Sequence, residues 1–163
     1  MSLSRRTAWV VPCLAVVLGG VVVIAHAAPR AGATKPNAQP GSRGHGKMVF
    51  VLTTGLEDLQ SVNMAIRHAG MAMKSGYLDD SVLLVYGRGV QAFAQDITAK
   101  PPQLAAAIKE AKAAGARILV CGEALRRFNI PKDKLESGVD EVVPNSIVTL
   151  AELVSKGYQI IKY

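Results

Sequence analysis

The stretch that most constrains this chain is Arg117-Ile118-Leu119-Val120-Cys121-Gly122-Glu123-Ala124-Leu125-Arg126-Arg127. Ile118, Leu119 and Val120 form a short, continuous apolar run behind the turn signal Ala114-Gly115-Ala116. A run without polar alternation suits a central strand covered on both faces. Gly122 allows a tight turn, and Glu123 to Phe128 reads as a short helix. Cys121 therefore falls where the carboxyl end of a strand meets the amino end of a helix. In open α/β sheets, ligands and reactive groups gather at such ends. Free N–H groups and the helix dipole there favour a thiolate over a thiol.

The same strand-then-helix rhythm runs on both sides of this stretch. Lys47 to Thr53 reads as a first strand, and Ser61 as the N-cap of a helix running to about Lys74 and closed by Gly76. Ser81 to Tyr86 is a second strand, and Val90 to Ile97 a short helix or irregular segment. A helix starts at Pro101 or Pro102 and ends at Gly115. After the Cys121 strand, Asn129 to Gly138 is a polar connection with room for one helical turn at Lys132 to Leu135. Glu141 to Val143 is a brief fourth strand, Ile147 to Ser155 a helix closed by Gly157, and Tyr158 to Lys162 the last strand. Five strands alternating with helices predict an α/β fold with a mainly parallel sheet covered on both faces. Four loops are then expected at one edge: Thr54 to Asp58, Tyr86 to Gly89, Cys121 to Glu123 and Pro144 to Ser146.

The first 46 residues follow a different logic. Arg5-Arg6 precede a nearly continuous apolar run from Ala8 to Ala25, and Ala25-His26-Ala27 supplies small residues for cleavage before Ala28. This reads as an export signal over residues 1–27, with the Sec type expected rather than the twin-arginine type. An uncleaved N-terminal membrane anchor is the alternative, since the run is near the ~20 residues that span a bilayer. Residues 28–46, rich in Pro, Gly, Ala and Ser, read as a flexible linker. The folded domain is expected over 47–163. The chain carries +7, but from Lys47 onward fourteen Lys/Arg stand against twelve Asp/Glu. A net +2 without a basic block gives no support to nucleic-acid binding.

Cys121 is the sole cysteine after cleavage, so no intrachain disulfide is available. It is either a reactive thiol or a buried, inert one. Arg126 and Arg127, on the following helix, are placed to favour a thiolate or attract anionic sulfur species, with Glu123 opposing them. Thr54, Gly55, Gly87, Asn145 and Ser146 are candidate ligand-loop residues at the strand ends. The Thr53 to Asp58 loop holds one glycine and the acidic pair Glu57-Asp58, which argues against an anion and for a helix start. Met64, His68 and Met71 follow helical spacing that would suit Cu(I). The preferred reading packs the methionines under the helix with His68 at its edge, and no metal site or cofactor is expected. No Ser-His-Asp order, CxxC or HExxH motif occurs.

Several markers in this order resemble the DsrE/DsrF-like family, which includes TusD-type and YchN-like sulfur-relay proteins. They are the opening strand with Thr54-Gly55-Leu56-Glu57-Asp58, the Val85-Tyr86-Gly87 strand end with Gly89-Val90, and Leu119-Val120-Cys121-Gly122-Glu123-Ala124-Leu125. The Gly138-Val139 step and the closing Gly157-Tyr158-Gln159-Ile160-Ile161 complete the set. The resemblance covers Lys47 to Tyr163. It implies a three-layer α/β/α fold, a homotrimer or homohexamer, and a persulfide carried on Cys121, the one residue to which the family role carries over; Gly122, Arg126 and Arg127 are supporting candidates from the reading of the residues themselves. The implied activity is that of a sulfur carrier or cysteine-based sulfurtransferase without cofactor. Its partners would be sulfur donor and acceptor proteins or small sulfane-sulfur compounds. The other reading is a non-catalytic small-ligand-binding or assembly module of the same fold with a structural cysteine. The sequence departs from the TusD type in its Ala-Leu-Arg-Arg run, which sits one position closer to the cysteine. It departs again in its export signal, which places the protein in the bacterial periplasm, or anchored in the inner membrane and facing it.

N-terminal sequencing of the protein from its native cell is expected to begin at Ala28 or a close neighbour, whereas an intact Met1 selects the anchor.

Overall fold

The computed structural model describes residues 46–163. The expected export signal, residues 1–27, and all of the expected linker except Gly46 lie outside the described residues. The elements are β1 (Gly46–Leu52), α1 (Leu59–Lys74), β2 (Leu78–Val85), α2 (Pro102–Ala113), β3 (Arg117–Cys121), α3 (Gly122–Arg127), β4 (Glu141–Val143), α4 (Ser146–Ser155) and β5 (Gln159–Lys162). Short 3-10 segments occupy Leu56–Asp58, Gly87–Phe93 and Lys132–Lys134. Among the described residues no helix is long and apolar enough to cross a membrane.

All four strand pairings are parallel, and the strand order is β4-β3-β2-β1-β5. From β1 to β4 each strand is laid beside the last, always in the same direction. Right-handed crossovers then put their connections on one face of the sheet. On that face Phe50, Leu52, Leu83, Val85, Ile118 and Val120 pack with Val62, Ile66 and Ala69 of α1 and Leu104 and Ile108 of α2. The last crossover runs from β4 back past β1 to β5. The same handedness rule sends α4 to the opposite face, where Leu153 and Leu150 meet Val49, Val51, Val82, Leu84 and Leu119.

Several boundaries differ from the sequence reading for local reasons. The N-cap of α1 is Asp58, not Ser61: Asp58 Oδ1 accepts the Ser61 N–H at 3.0 Å, and the Ser61 hydroxyl donates to Oδ2 at 2.7 Å. β2 starts at Leu78, three residues early. Asp80, which resembles a turn residue, accepts from Arg117 Nη2 of β3 at 2.6 Å. Gly87–Phe93 is 3-10 helix, so the helical segment begins before Val90 and stops short of Ile97. The methionines do not pack as expected. Met64 is 38% and Met71 62% exposed, while Met73 packs against the core. At about 100° per residue, Met64 and Met71 lie opposite the buried stripe of Val62, Ala65, Ile66 and Ala69.

α1 and α2 meet closely at Gly70, where an added Cβ would lie 2.8 Å from Ala111 Cα. That atom belongs to the α2 backbone, so the helices must part to admit a methyl group. Gly70→Ala is expected to lower stability by about 1–3 kcal/mol despite its better helix propensity. A thermal or denaturant melt measures this; an unchanged midpoint would show that the helices slide apart freely.

Candidate active site

The carboxyl ends of β2, β3 and β4 lie side by side, and the loops that follow them build the site. At the β3/β4 boundary the chain leaves in two directions, into α3 on one face and into α4 on the other. Adjacent parallel strands whose connections part in this way leave a crevice between them, the switch point where ligands of open α/β sheets bind. Cys121 is the last residue of β3 and the N-cap of α3. Ser146 is the first residue of α4. The crevice brings them together.

Gly122 earns its place through close approach rather than an unusual backbone conformation. An added Cβ would lie 3.3 Å from Val143 O and 3.4 Å from Val142 Cγ1, so a side chain would push α3 off β4. Asn145 fixes the other wall. Its Oδ1 accepts the N–H groups of Ile147 at 2.9 Å and Val148 at 3.2 Å, capping α4. Its Nδ2 donates to Glu123 Oε2 at 3.2 Å, which ties the start of α4 to the start of α3. Ser146 is held between these two anchors and is buried.

Cys121 is only 3% exposed. Burial pushes its pKa up. The Ser146 hydroxyl and the backbone N–H groups of Ala124, Ser146 and Glu123 act in the opposite sense and prevail, so the thiol sits below its ordinary value. Donors from the amino ends of both diverging helices thus favour the thiolate. Cys121 lines a cleft of 330 Å³ with Tyr86, Gly87, Glu123, Ala124, Arg127 and Ser146. Arg127 is exposed and forms no ion pair among the described residues, so its charge is free to meet an anion in the cleft. Larger hollows exist, one of 480 Å³ beside α4 and one of 550 Å³ between α1 and α2, but neither contains a thiol.

The sequence-selected residues divide in two. Cys121, Gly87, Arg127 and Ser146 line one cleft, Gly122 shapes its base, and Asn145 braces its wall. Arg126 is exposed beyond the cleft lining. Thr54 and Gly55 also stand outside it, because β1 is two strands from β3 and parallel strands are spaced about 4.8 Å apart. Their loop is closed on itself. The Gly55 N–H donates to Glu57 Oε1 at 3.1 Å, and the same oxygen pairs with Arg88 Nη2 at 2.8 Å. Tyr86 is a wall residue that sequence reasoning passed over; its signal was its place at the end of the neighbouring strand. Gly87 takes φ +58 there, with Thr53 O close by, a conformation that favours glycine.

The family described as DsrE/DsrF-like matches residues 46–163. No curated protein matches the chain. Among solved structures, the ychN protein from E. coli is similar over 72% of this chain and 99% of its own, with 16% identity and a TM-score of 0.58. A protein of unknown function, MTH1491 from Methanobacterium thermoautotrophicum, is similar over 73% of this chain and 99% of its own, at 17% identity and a TM-score of 0.56. A conserved protein of unknown function, BT1422 from Bacteroides thetaiotaomicron, covers 72% of this chain with 95% of its own, at 20% identity and a TM-score of 0.54. These likenesses bear on the fold: a five-stranded parallel sheet with helices on its two faces.

The role of Ser146 gives a pH-dependent outcome. Alkylation requires the thiolate, so its rate rises with pH through the thiol pKa. Removing the hydroxyl in Ser146→Ala deletes the strongest group that lowers that pKa. The rate–pH profile should move to higher pH, toward the ~8.5 of a free cysteine. A profile that stays in place would leave the backbone N–H groups as the sole cause.

Proposed function

We propose that this chain, which belongs to the DsrE/DsrF-like family, accepts sulfane sulfur on Cys121 as a persulfide and yields it to a second thiol. The observation that carries this reading is a thiol held below its ordinary pKa, despite burial, at the wall of a cleft whose Arg127 guanidinium has no ion-pair partner among the described residues. Cys121 thiolate attacks the outer sulfur of a persulfide R–S–S⁻. A Cys121 S–S bond forms, the donor's S–S bond breaks, and RS⁻ leaves with the electron pair. An acceptor thiolate then attacks the outer sulfur of Cys121–S–S⁻ and restores the Cys121 thiolate. Two thiolate exchanges balance without oxidant, metal or organic cofactor. With both halves turning over, the protein acts as a sulfurtransferase; with one partner bound at a time, as a carrier.

Arg127 and the donors around Cys121 suit anionic donors, either small sulfane-sulfur compounds or the persulfide of a partner protein. The burial of Cys121, 3% exposed as a residue, favours the small compounds. Assembly into a homotrimer or homohexamer belongs to the same reading. It is supported by apolar side chains left exposed on α4 and β5: Ile147, Val148, Val154 and Ile160. Export to the periplasm, or anchoring in the inner membrane facing it, rests on Arg5-Arg6 and the apolar run to Ala25. The donors and acceptors would then be those of that compartment. The near-complete burial of Cys121 favours one competing reading, a ligand-binding or assembly module whose cysteine is structural.

Incubation with polysulfide followed by intact-mass measurement separates the two. Stepwise addition of sulfur atoms is expected on the native protein, reversed by reductant, with none added to Cys121→Ser. Light scattering on the same samples should report more than one chain per particle. A native thiol that takes no sulfur while the fold stays intact would leave the binding module.

A further inference from the structure

The face of α1 that points away from the sheet carries a group of soft donor atoms. Val62, Ala65, Ile66 and Ala69 bury the opposite face. At about 100° per residue, Met64, His68 and Met71 fall within an arc of about 60° on the outer side. They are spaced i, i+4 and i+7, so His68 neighbours Met64 on one turn and Met71 on the next. Both methionines are exposed, Met64 at 38% and Met71 at 62%. Packing does not account for them, since the helix already buries its apolar stripe without their help.

His68 is held from the other side. Its Nδ1 lies 2.6 Å from the Tyr163 hydroxyl, and the two rings meet edge to face with centroids 5.8 Å apart. Tyr163 is itself fixed: its N–H donates to Val51 O at 2.8 Å, and its C=O accepts the Thr53 N–H at 3.0 Å. When Nδ1 carries the proton and donates it to the phenolic oxygen, Nε2 keeps its lone pair. A histidine ligand oriented through its other nitrogen is the usual outer-shell arrangement of a metal site.

We propose that Met64, His68 and Met71 form a binding site for a soft monovalent cation of the Cu(I) or Ag(I) class, with Tyr163 as the positioning residue of His68. Two thioethers and one imidazole are neutral, polarizable ligands that match such ions. The surroundings select against hard cations. None of the three ligands is a carboxylate, and along the hollow between α1 and α2 Arg67 and Lys74 flank Met71, with Glu110 of α2 as the one carboxylate in its lining. Calcium or magnesium would need about six oxygen ligands, and Met64, His68 and Met71 supply none. The site is independent of Cys121 and of the sulfur chemistry proposed for it.

The test uses the full chain with Cys13→Ser and Cys121→Ser, so that no thiol competes for the ion, and Ag(I) as a probe free of redox chemistry. Methionine ε-methyl NMR signals are followed during titration. Met64 and Met71 are expected to shift together and saturate at one ion per chain, with Met48 and Met73 unmoved. His68→Gln should abolish the joint saturation. Tyr163→Phe should weaken binding by about tenfold and change the ring-nitrogen signature of His68. Met64 and Met71 signals that stay still, or that shift independently with the same affinity in His68→Gln, would overturn the proposal.

Discussion

Everything at the Cys121 crevice depends on one reversal of the chain, the crossover that leaves β4 and returns past β1 to β5. The sheet makes this reversal necessary because its strands are apolar on both faces. Val49, Val51, Val82 and Leu84 are as deeply buried as Phe50, Leu52, Leu83 and Val85. Each such side chain contributes about 1.5–3 kcal/mol only if its own face is covered. Three connections laid in one direction cover the first face alone. The chain must step back once to cover the second, and α4 does so. The parting of α3 from α4 is the geometric consequence, so the demand for burial opens the crevice.

Asn145 converts that parting into a defined site. Its carbonyl oxygen satisfies the first N–H groups of α4, and its amide reaches Glu123 at the start of α3. One side chain therefore sets the distance between two helix starts whose N–H groups both act on Cys121. The thiol is placed under opposed influences. Burial favours the neutral form, and hydrogen-bond donors favour the anion. Four donors outweigh the desolvation because most of them are backbone groups whose position the fold has already fixed. The same burial narrows access to the sulfur.

The residues differ in how much they disclosed in sequence. Five strands, their helices and the Cys121 junction were legible because each is local: an apolar run, a glycine, a capping residue. Strand order is not local. Without it, the loop after β1 and the loop after β2 looked equally close to Cys121, and Thr54 and Gly55 were grouped with Gly87 and Ser146. Asp58 against Ser61 was a contest between two good caps three residues apart, decided by which side chain accepts and which N–H remains free. The outward placement of Met64 and Met71 was in reach. Measured against the stripe Val62, Ala65, Ile66, Ala69, both fall on the far side of α1; reading methionine simply as a core residue obscured it.

The cysteine count gives the crevice its last property. A persulfide beside a second thiol of the same chain collapses to a disulfide, releasing its outer sulfur as sulfide. From residue 14 to residue 163 this chain has no cysteine but Cys121. No resolving thiol within that span can reach a sulfur held there. In the transfer proposed above, the outer sulfur would leave to a nucleophile that enters the cleft lined by Arg127 and Tyr86. In that proposal a lowered thiol pKa raises the thiolate fraction available for loading, and it would also make the Cys121 thiolate a better leaving group when the acceptor attacks. In the proposed transfer, loading and release would draw on the same donors, Ser146 foremost, and the lack of a second cysteine within residues 14–163 would keep the transfer between molecules.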